Sequence, residues 1–406
     1  MKVLQLCKKY PFPPKDGEII AITNLSAALT QLGCEVHGLA MNTTRHAGEV
    51  DVPLPQYTSL RSVPVDNKIR PLDALRCLIS NKSYHIARFE SAVFNEALIE
   101  LLQQHQFDIV QLETLYLAPY IDTIRHYAPQ AKIVMRAHNV EHEIWQRIVR
   151  NSRIPKRWYL HRLTTQLQQY EANVLNRYDL LVPISQRDES TFRKMGLRGP
   201  SRVTPIGLDL SHYRPDERSF MRAPSVSFIG SLDWMPNQEG LQWFLREAWP
   251  TIHRELPKLN LQVAGRNTPA RWLRNDRPGV EFLGEVPCAR KFLNQHSLSV
   301  VPLLSGSGMR AKILEAMALG KVVVTTRIGL EGIDATHRQE VLIADSPAEF
   351  LSCFRYAVEH PEEIRQMGRR ARVLATEQYD HLTTARRLVA SYRQVLAQKQ
   401  PAILDV

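Results

Sequence analysis

The chain has 406 residues, 44% hydrophobic and 23% charged, an ordinary globular composition that excludes a disordered, fibrous or low-complexity protein. Lys and Arg total 52 against 41 Asp and Glu, a formal net charge of +11. That charge suits an anionic partner (nucleoside diphosphate, lipid phosphate or nucleic acid) and equally a solubilising surface.

At this length two or three domains are expected, each large enough for its own core. The five cysteines, Cys7, Cys34, Cys77, Cys288 and Cys353, form no Cys-x-x-Cys pair, which predicts buried thiols in a reducing compartment and no zinc site. The apolar run at the N-terminus is too short for a signal segment and is followed by Lys8-Lys9. No stretch approaches the ~18–20 apolar residues of a membrane helix. A soluble, cytoplasmic protein is expected, attached at most to the inner face of a membrane.

Short apolar runs alternate with amphipathic ones twice over. In the first half strands are predicted at 3–7, 35–40, 108–112, 132–136 and 180–184. Helices are predicted at about 18–32, 85–105, 117–127 and in one long run over 141–176. This alternation means βαβ units and a mostly parallel sheet. Residues 205–224 are rich in Pro, Gly and charge and mark a boundary.

The pattern then restarts. Strands are predicted at 226–230, 261–264, 280–283, 298–302, 321–325 and 341–344, and helices at 239–255, 288–295, 309–319, 347–359 and 361–377, with a final helix at 382–398. Gly320 stands where a helix C-terminus wants a left-handed residue. Two such sheets have their ligand crevices at the carboxyl ends of their strands. Facing each other, they would form one interdomain cleft, where ligand sites concentrate.

The sharpest segment runs over 305–325. A small-residue turn, Ser305-Gly306-Ser307-Gly308, follows a strand and leads into a helix with Met309, Arg310, Lys312 and Glu315 near its start. Free N–H groups beside glycines make an anion site, and Arg310 and Lys312 add charge suited to a diphosphate. Glu315 can accept hydrogen bonds from ribose hydroxyls, or simply pair with Lys312 on a helix surface.

The string Leu314-Glu315-Ala316-Met317-Ala318-Leu319-Gly320-Lys321, then Val322-Val323-Val324, resembles the signature of family 4 glycosyltransferases (glycosyl transferases group 1), with Val322 where that family usually has Pro. The resemblance implies the GT-B fold: an α/β protein of two Rossmann-like domains with parallel sheets facing an interdomain cleft. Residues 1–210 would bind the acceptor and 211–380 the nucleotide sugar, with 381–406 a helix packing back on the first domain.

The resemblance carries over diphosphate and ribose contacts to Arg310, Lys312 and Glu315, and sugar contacts to Ser307, Gly308 and Met309. Backbone groups near Val286, in Gly284-Glu285-Val286, would meet the base. Gly17 is what remains of the family's Gly-Gly pair facing the donor phosphate. His138, in Arg136-Ala137-His138-Asn139, matches the family's cleft histidine near the C6 hydroxyl of the reacting sugar. Glu141 would cap the following helix.

Two departures stand out. Eight positions before Glu315, where the family commonly has a first Glu, stands Ser307. Ser231 and Asn237 occupy the places of the family's diphosphate-gripping Arg and Lys. Arg266, at a predicted strand end, is the candidate replacement together with Lys312, or else a loop arginine in water.

The implied activity is retaining transfer of a hexose-like sugar from a nucleoside diphosphate to an acceptor hydroxyl, in cell-envelope polysaccharide or glycan assembly. The resemblance implies no obligatory metal: His138, Arg266 and Lys312 would be the catalytic residues, and Arg266, Arg310, Lys312 and the helix N-terminus would stabilise the leaving diphosphate. The partners implied are a nucleotide-sugar donor and a sugar or lipid-linked glycan acceptor. Arg147, Arg150, Arg153, Lys156, Arg157 and Arg162 crowd Trp145, Trp158 and Tyr159, a pattern that suits an anionic membrane ahead of nucleic acid, or a solvated helix face. A dinucleotide-dependent oxidoreductase is disfavoured by the lack of a Gly-x-Gly-x-x-Gly turn. A non-catalytic nucleotide-binding or partner subunit is the alternative that the departures leave open.

Overall fold

Runs of four to six uniformly buried residues form strands covered on both faces, as parallel sheets require. The computed structural model describes residues 1–13, 17–44, 53–150, 156–274, 276–306 and 308–398. Two compact units result: Met1–Gly207 with His381–Val406, and Leu208–Asp380.

The first unit runs β1 (Lys2–Cys7), α1 (Gly17–Gln31), β2 (Glu35–Thr43), β3 (Ser59–Val65), α2 (Pro71–Ile79), α3 (Tyr84–Ala87), α4 (Ala92–Gln104) and β4 (Ile109–Leu112). It continues through a 3-10 turn (Leu115–Tyr120), α5 (Ile121–Tyr127), β5 (Lys132–Ala137), α6 (Glu141–Arg150), α7 (Lys156–Val174), β6 (Leu180–Pro183) and α8 (Gln186–Lys194). The six strands are parallel in the order β3-β2-β1-β4-β5-β6, with Val3 level with Val36 on one side and Ile109 on the other. Alternate residues of β1 feed two cores. Leu4 and Leu6 join Phe94, Phe107 and Leu167, while Val3 joins Leu25 and Leu29 of α1.

The second unit runs β7 (Ser225–Ile229), α9 (Met235–Trp243), α10 (Trp249–Glu255), β8 (Asn260–Ala264), α11 (Ala270–Leu273), β9 (Val280–Gly284), α12 (Ala289–Asn294) and β10 (Leu298–Val301). Then come α13 (Ala311–Ala318), β11 (Val322–Thr325), α14 (Arg327–Leu330), β12 (Val341–Ile343), α15 (Pro347–Glu359) and α16 (Pro361–Gln378). Its order, β12-β11-β10-β7-β8-β9, repeats that of the first sheet. Phe228, Phe244, Trp249, Phe350 and Phe354 centre its core. Gly320, at φ +70°, ends α13, and its carbonyl would lie 2.2 Å from any Cβ placed on Gly368 of α16.

The last helix, α17 (His381–Ala397), returns to the first unit, where Leu388, Val389 and Tyr392 pack with Val3, Leu25 and Leu29.

Several expected elements differ. The run over 141–176 holds two helices, α6 and α7, followed by a short 3-10 turn at Leu175–Arg177, and residues 151–155 lie outside the described residues. The helix expected over 239–255 passes through a π turn at Phe244–Ala248, next to Pro250, which lacks the N–H that a continuous helix needs. The helix expected over 85–105 is α3 and α4. Strand β3 was not predicted: it is a half-exposed edge strand carrying Pro64, a residue that sheets tolerate only at edges.

Candidate functional site

Both sheets have the doubly wound order whose ligand crevice lies where the chain reverses direction across the sheet. In the second unit that point is between β7 and β10. The segment after β10 climbs through Ser305, Gly306 and Gly308 to α13. Gly306 (φ +112°) and Gly308 (φ +78°) adopt conformations that favour glycine. Ser305 Oγ donates to Glu239 Oε2 at 3.0 Å, tying the segment to α9. Ser307 lies outside the described residues.

Arg310 is the buried residue before α13 and offers no side-chain cap to it. Its guanidinium donates to the Gly308 carbonyl and lies 5.8 Å from the Trp234 ring centroid. Met309 is buried beside it.

Lys312, the second residue of α13, reaches the carboxyl end of β7. Its Nζ donates to Asn237 Oδ1 at 2.6 Å and to the Ile229 carbonyl at 3.3 Å. Asn237 therefore orients a lysine that comes from another element. A Cβ on Gly230 would lie 2.9 Å from that Nζ, and one on Gly265 only 2.2 Å from the Gly230 carbonyl, so glycines let the loops after β7 and β8 close around the ammonium. Burial, and then the neighbouring Arg310, pull Lys312 down to about 7.

Glu315 Oε1 accepts from the Tyr213 hydroxyl at 2.7 Å. Burial raises the Glu315 carboxyl, against the opposing effects of that hydroxyl, Arg290 and Lys312.

Arg266 follows β8. Its carbonyl accepts from Leu232 N–H at 2.8 Å, and its guanidinium acts on Asp233. Val286 is half-buried just beyond β9. The structure thus brings Arg310, just before α13, together with Lys312 and Glu315 on it, while Arg266 and Val286 sit at the ends of neighbouring strands.

In the first unit the corresponding point lies between β1 and β4. Gly17 is the first residue of α1, and His138 is buried just past β5. His138 Nε2 lies 3.0 Å from Glu113 Oε2; since a carboxylate only accepts, Nε2 carries the proton and Nδ1 is the acceptor nitrogen. Burial lowers the imidazole pKa although Glu113 pulls it up, so the neutral ring is favoured.

Glu113 is fully buried and anchors a wider network. It accepts from Gln5 Nε2 at 3.1 Å and from Gln111 Nε2, and Arg136 stands 3.8 Å away. Tyr392 of α17 donates to Gln111, coupling the last helix to this network. Nearby, Lys8 and Lys9 both meet Glu18 at 3.2 Å.

Sequence reasoning missed Glu113, Lys8, Lys9 and Glu18. A lone acid immediately after the apolar run 109–112 was the one signal for Glu113, since strand carboxyl ends are where ligand residues gather.

Glu141 does not cap α6. It is buried, its Oε2 accepts from Tyr116 at 2.9 Å, and burial raises its pKa. Glu171 of α7 takes the N–H groups of Glu141 and His142 instead, at 3.0 and 3.2 Å, along with His142 Nδ1 at 2.7 Å. A carboxylate from a packed helix reaches these N–H groups more directly than the first helical residue can reach its own.

The basic and aromatic run is also divided. The Trp145 ring packs at a tilt on His85, with centroids 3.9 Å apart, and Arg147 lies beside Glu143, whereas Arg150, Arg157, Trp158 and Arg162 face solvent. Arg153 lies outside the described residues, and of Lys156 only the backbone is described. Among the described residues no helix is long and apolar enough to cross a membrane.

Two parallel six-stranded α/β sheets of identical order define the GT-B class of glycosyltransferases. Solved structures share the fold: sucrose-phosphate synthase from Thermosynechococcus elongatus (TM-score 0.74, 16% identity, 98% of this chain and 100% of that one); HepE from Anabaena in complex with UDP (0.68, 13%, 97% and 100%); and the catalytic domain of starch synthase IV from Arabidopsis thaliana bound to ADP and acarbose (0.67, 13%, 98% and 99%). Residues 20–212 match the profile of Glycosyltransferase Family 4, and residues 223–360 that of Glycosyl transferases group 1. The chain belongs to this family and is a glycosyltransferase.

An uncharacterized 44.6 kDa protein in the cps region of Klebsiella pneumoniae is 24% identical over 265 residues. That match spans 62% of this chain and 66% of the relative's length.

Proposed function

We propose that the second unit binds a nucleoside-diphosphate sugar and that the first carries the acceptor and His138, the sugar passing to an acceptor hydroxyl with retention of configuration. The observation that carries this reading is Lys312, held at the carboxyl end of β7 by Asn237 and the Ile229 carbonyl, next to Arg310 and the uncapped start of α13. Cations and free N–H groups in this arrangement suit a leaving diphosphate.

In this reading Lys312 and Arg310, with Arg266, neutralise the developing pyrophosphate charge, without need of an obligatory metal. Glu315, steadied by Tyr213, takes the ribose hydroxyls. Gly308 and Met309, with Ser307, border the sugar, and backbone groups near Val286 meet the base. The neutral His138, its Nε2–H committed to Glu113, offers Nδ1 to a sugar hydroxyl. Gly17 contributes the N–H at the start of α1. The acceptor is a sugar or a lipid-linked glycan, and the relative from a cps region supports a role in cell-envelope polysaccharide assembly.

The test is a thermal-shift panel of UDP, GDP, ADP and TDP sugars, because a ligand that binds only the native state raises its apparent stability. It is followed by measurement of nucleoside-diphosphate release by the purified protein. One base should stand out and its sugar should turn over; no shift and no release from any of them overturns the reading.

A further inference from the structure

The loop from β7 to α9, Ser231-Leu232-Asp233-Trp234, is held along its whole length. Ser231 Oγ donates to Asp233, and Leu232 N–H donates to the Arg266 carbonyl at 2.8 Å. The Trp234 carbonyl accepts from the Asn237 and Gln238 N–H groups at 3.0 and 3.2 Å. The Trp234 side chain adds nothing to this framework. It lies outside the core of the second unit and is 40% exposed. A ring of this size is ordinarily buried, where it does most for stability; here a well-fixed backbone holds it out.

The surroundings of the ring point to what it meets. The Arg310 guanidinium lies over it, 5.8 Å from the centroid, and steadies it through a cation–π contact. A Cβ added to Gly306 would come 3.4 Å from the indole and 2.8 Å from Arg310 Nη2, so glycine lets both side chains close over this turn. The indole therefore stands beside the cations that suit a diphosphate. Phosphate oxygens gain nothing from an apolar ring, but the group that a diphosphate carries does. A pyranose has hydroxyls around its rim and C–H groups on its faces, and an aromatic surface next to polar groups holds such an amphipathic ligand. Met235 and Leu304, 49% and 39% exposed, add apolar surface on the same two loops, which the bond from Ser305 to Glu239 joins. A nucleobase fits this place less well. The position expected for it, near Val286, follows β9, two strands from β7 and about 10 Å away across the sheet.

We propose that Trp234 is a specificity-determining residue. The transferred sugar lays a C–H face on the indole, and pyranoses are selected by how much unbroken C–H surface they turn to it. This rests on the donor site proposed for the second unit and names the part of the donor that the site selects.

The experiment is calorimetry of the full chain and its Trp234→Ala and Trp234→Phe variants. The probes are UDP, GDP, ADP and TDP, the glucose conjugate of each, UDP-galactose and GDP-mannose. Nucleoside-diphosphate release supplies KM and kcat for the same donors. Trp234→Ala should weaken the sugar-bearing nucleotide about tenfold and change the free nucleoside diphosphate less than about twofold. It should also shrink the preference between sugars on one base, with the circular-dichroism spectrum retained. Trp234→Phe, which keeps a flat ring, should recover most of the loss. Equal weakening of free and sugar-bearing nucleotide would assign the ring to the base or to the placement of Arg310 and overturn the proposal. An alanine variant with unchanged donor affinity and sugar preference would overturn it too, and both results leave the donor site in place. A wild type that binds none of these nucleotides overturns the donor site, and this proposal with it.

Discussion

The two sheets share a strand order yet treat charge in opposite ways at their crossover points. In the first unit the ionisable groups there are answered from within: Lys8 and Lys9 by Glu18, and the His138 and His142 rings by hydrogen bonds to Glu113 and Glu171. In the second unit Lys312 is met by two neutral oxygens, and among the described residues no carboxylate lies in ion-pair contact with it. One architecture thus supports a neutral, internally balanced edge that suits hydroxyl chemistry and a cationic edge that an anion would complete. The difference resides in loops and helix starts, since both sheets are built from the same parallel ladder.

The largest effect should come from the cationic edge. Lys312→Met should lower nucleotide-sugar turnover about 10²- to 10³-fold, measured as nucleoside-diphosphate release, with the circular-dichroism spectrum retained. Unchanged donor kinetics would break the comparison at its centre.

On the balanced edge His138→Ala should reduce kcat about 10²-fold while nucleotide affinity, measured by calorimetry, stays nearly constant. Glu113→Gln should have a smaller kinetic effect and lower stability by about 1.5–3 kcal/mol, since donors that converge on a buried carboxylate would then face an amide N–H. If either variant weakened nucleotide binding as much as Lys312→Met does, the division of labour between the units would be wrong.

The pH dependence sharpens the contrast further. With Lys312 lowered to about 7, the ammonium of the free protein is progressively lost above that pH. A bound diphosphate restores it, so binding takes up a proton. Affinity for a nucleotide sugar should therefore be flat below pH 7 and fall as pH rises, by at most about tenfold per unit. In Lys312→Met the slope should vanish.

The smallest effect is expected at Tyr213→Phe, which removes the hydroxyl that steadies Glu315. It should cost about 1 kcal/mol, roughly a fivefold loss of nucleotide affinity.

Periodicity was enough to place eleven of the twelve strands, because buried parallel strands read as short apolar runs and helices as longer amphipathic ones. It missed β3, whose half-exposed edge carries no such run. At the candidate site, Gly306, Gly308, Arg310, Lys312 and Glu315 were legible because strand, glycine turn and helix start are contiguous in the chain. Asn237 read only as a departure from the family pattern; its partnership with Lys312, 75 residues away, was not. Glu113 was hidden for the same reason, since its partner His138 comes from a different strand.

The amino-acid sequence by itself determined two tandem α/β units and the cationic glycine-led helix, because these follow from local spacing. Only the tertiary structure decided which groups meet at the strand ends. Parallel strands need long crossovers, so neighbours in a sheet are distant in the chain, and pairings such as Tyr392 with Gln111 or Lys312 with Asn237 exist only once the sheets have assembled.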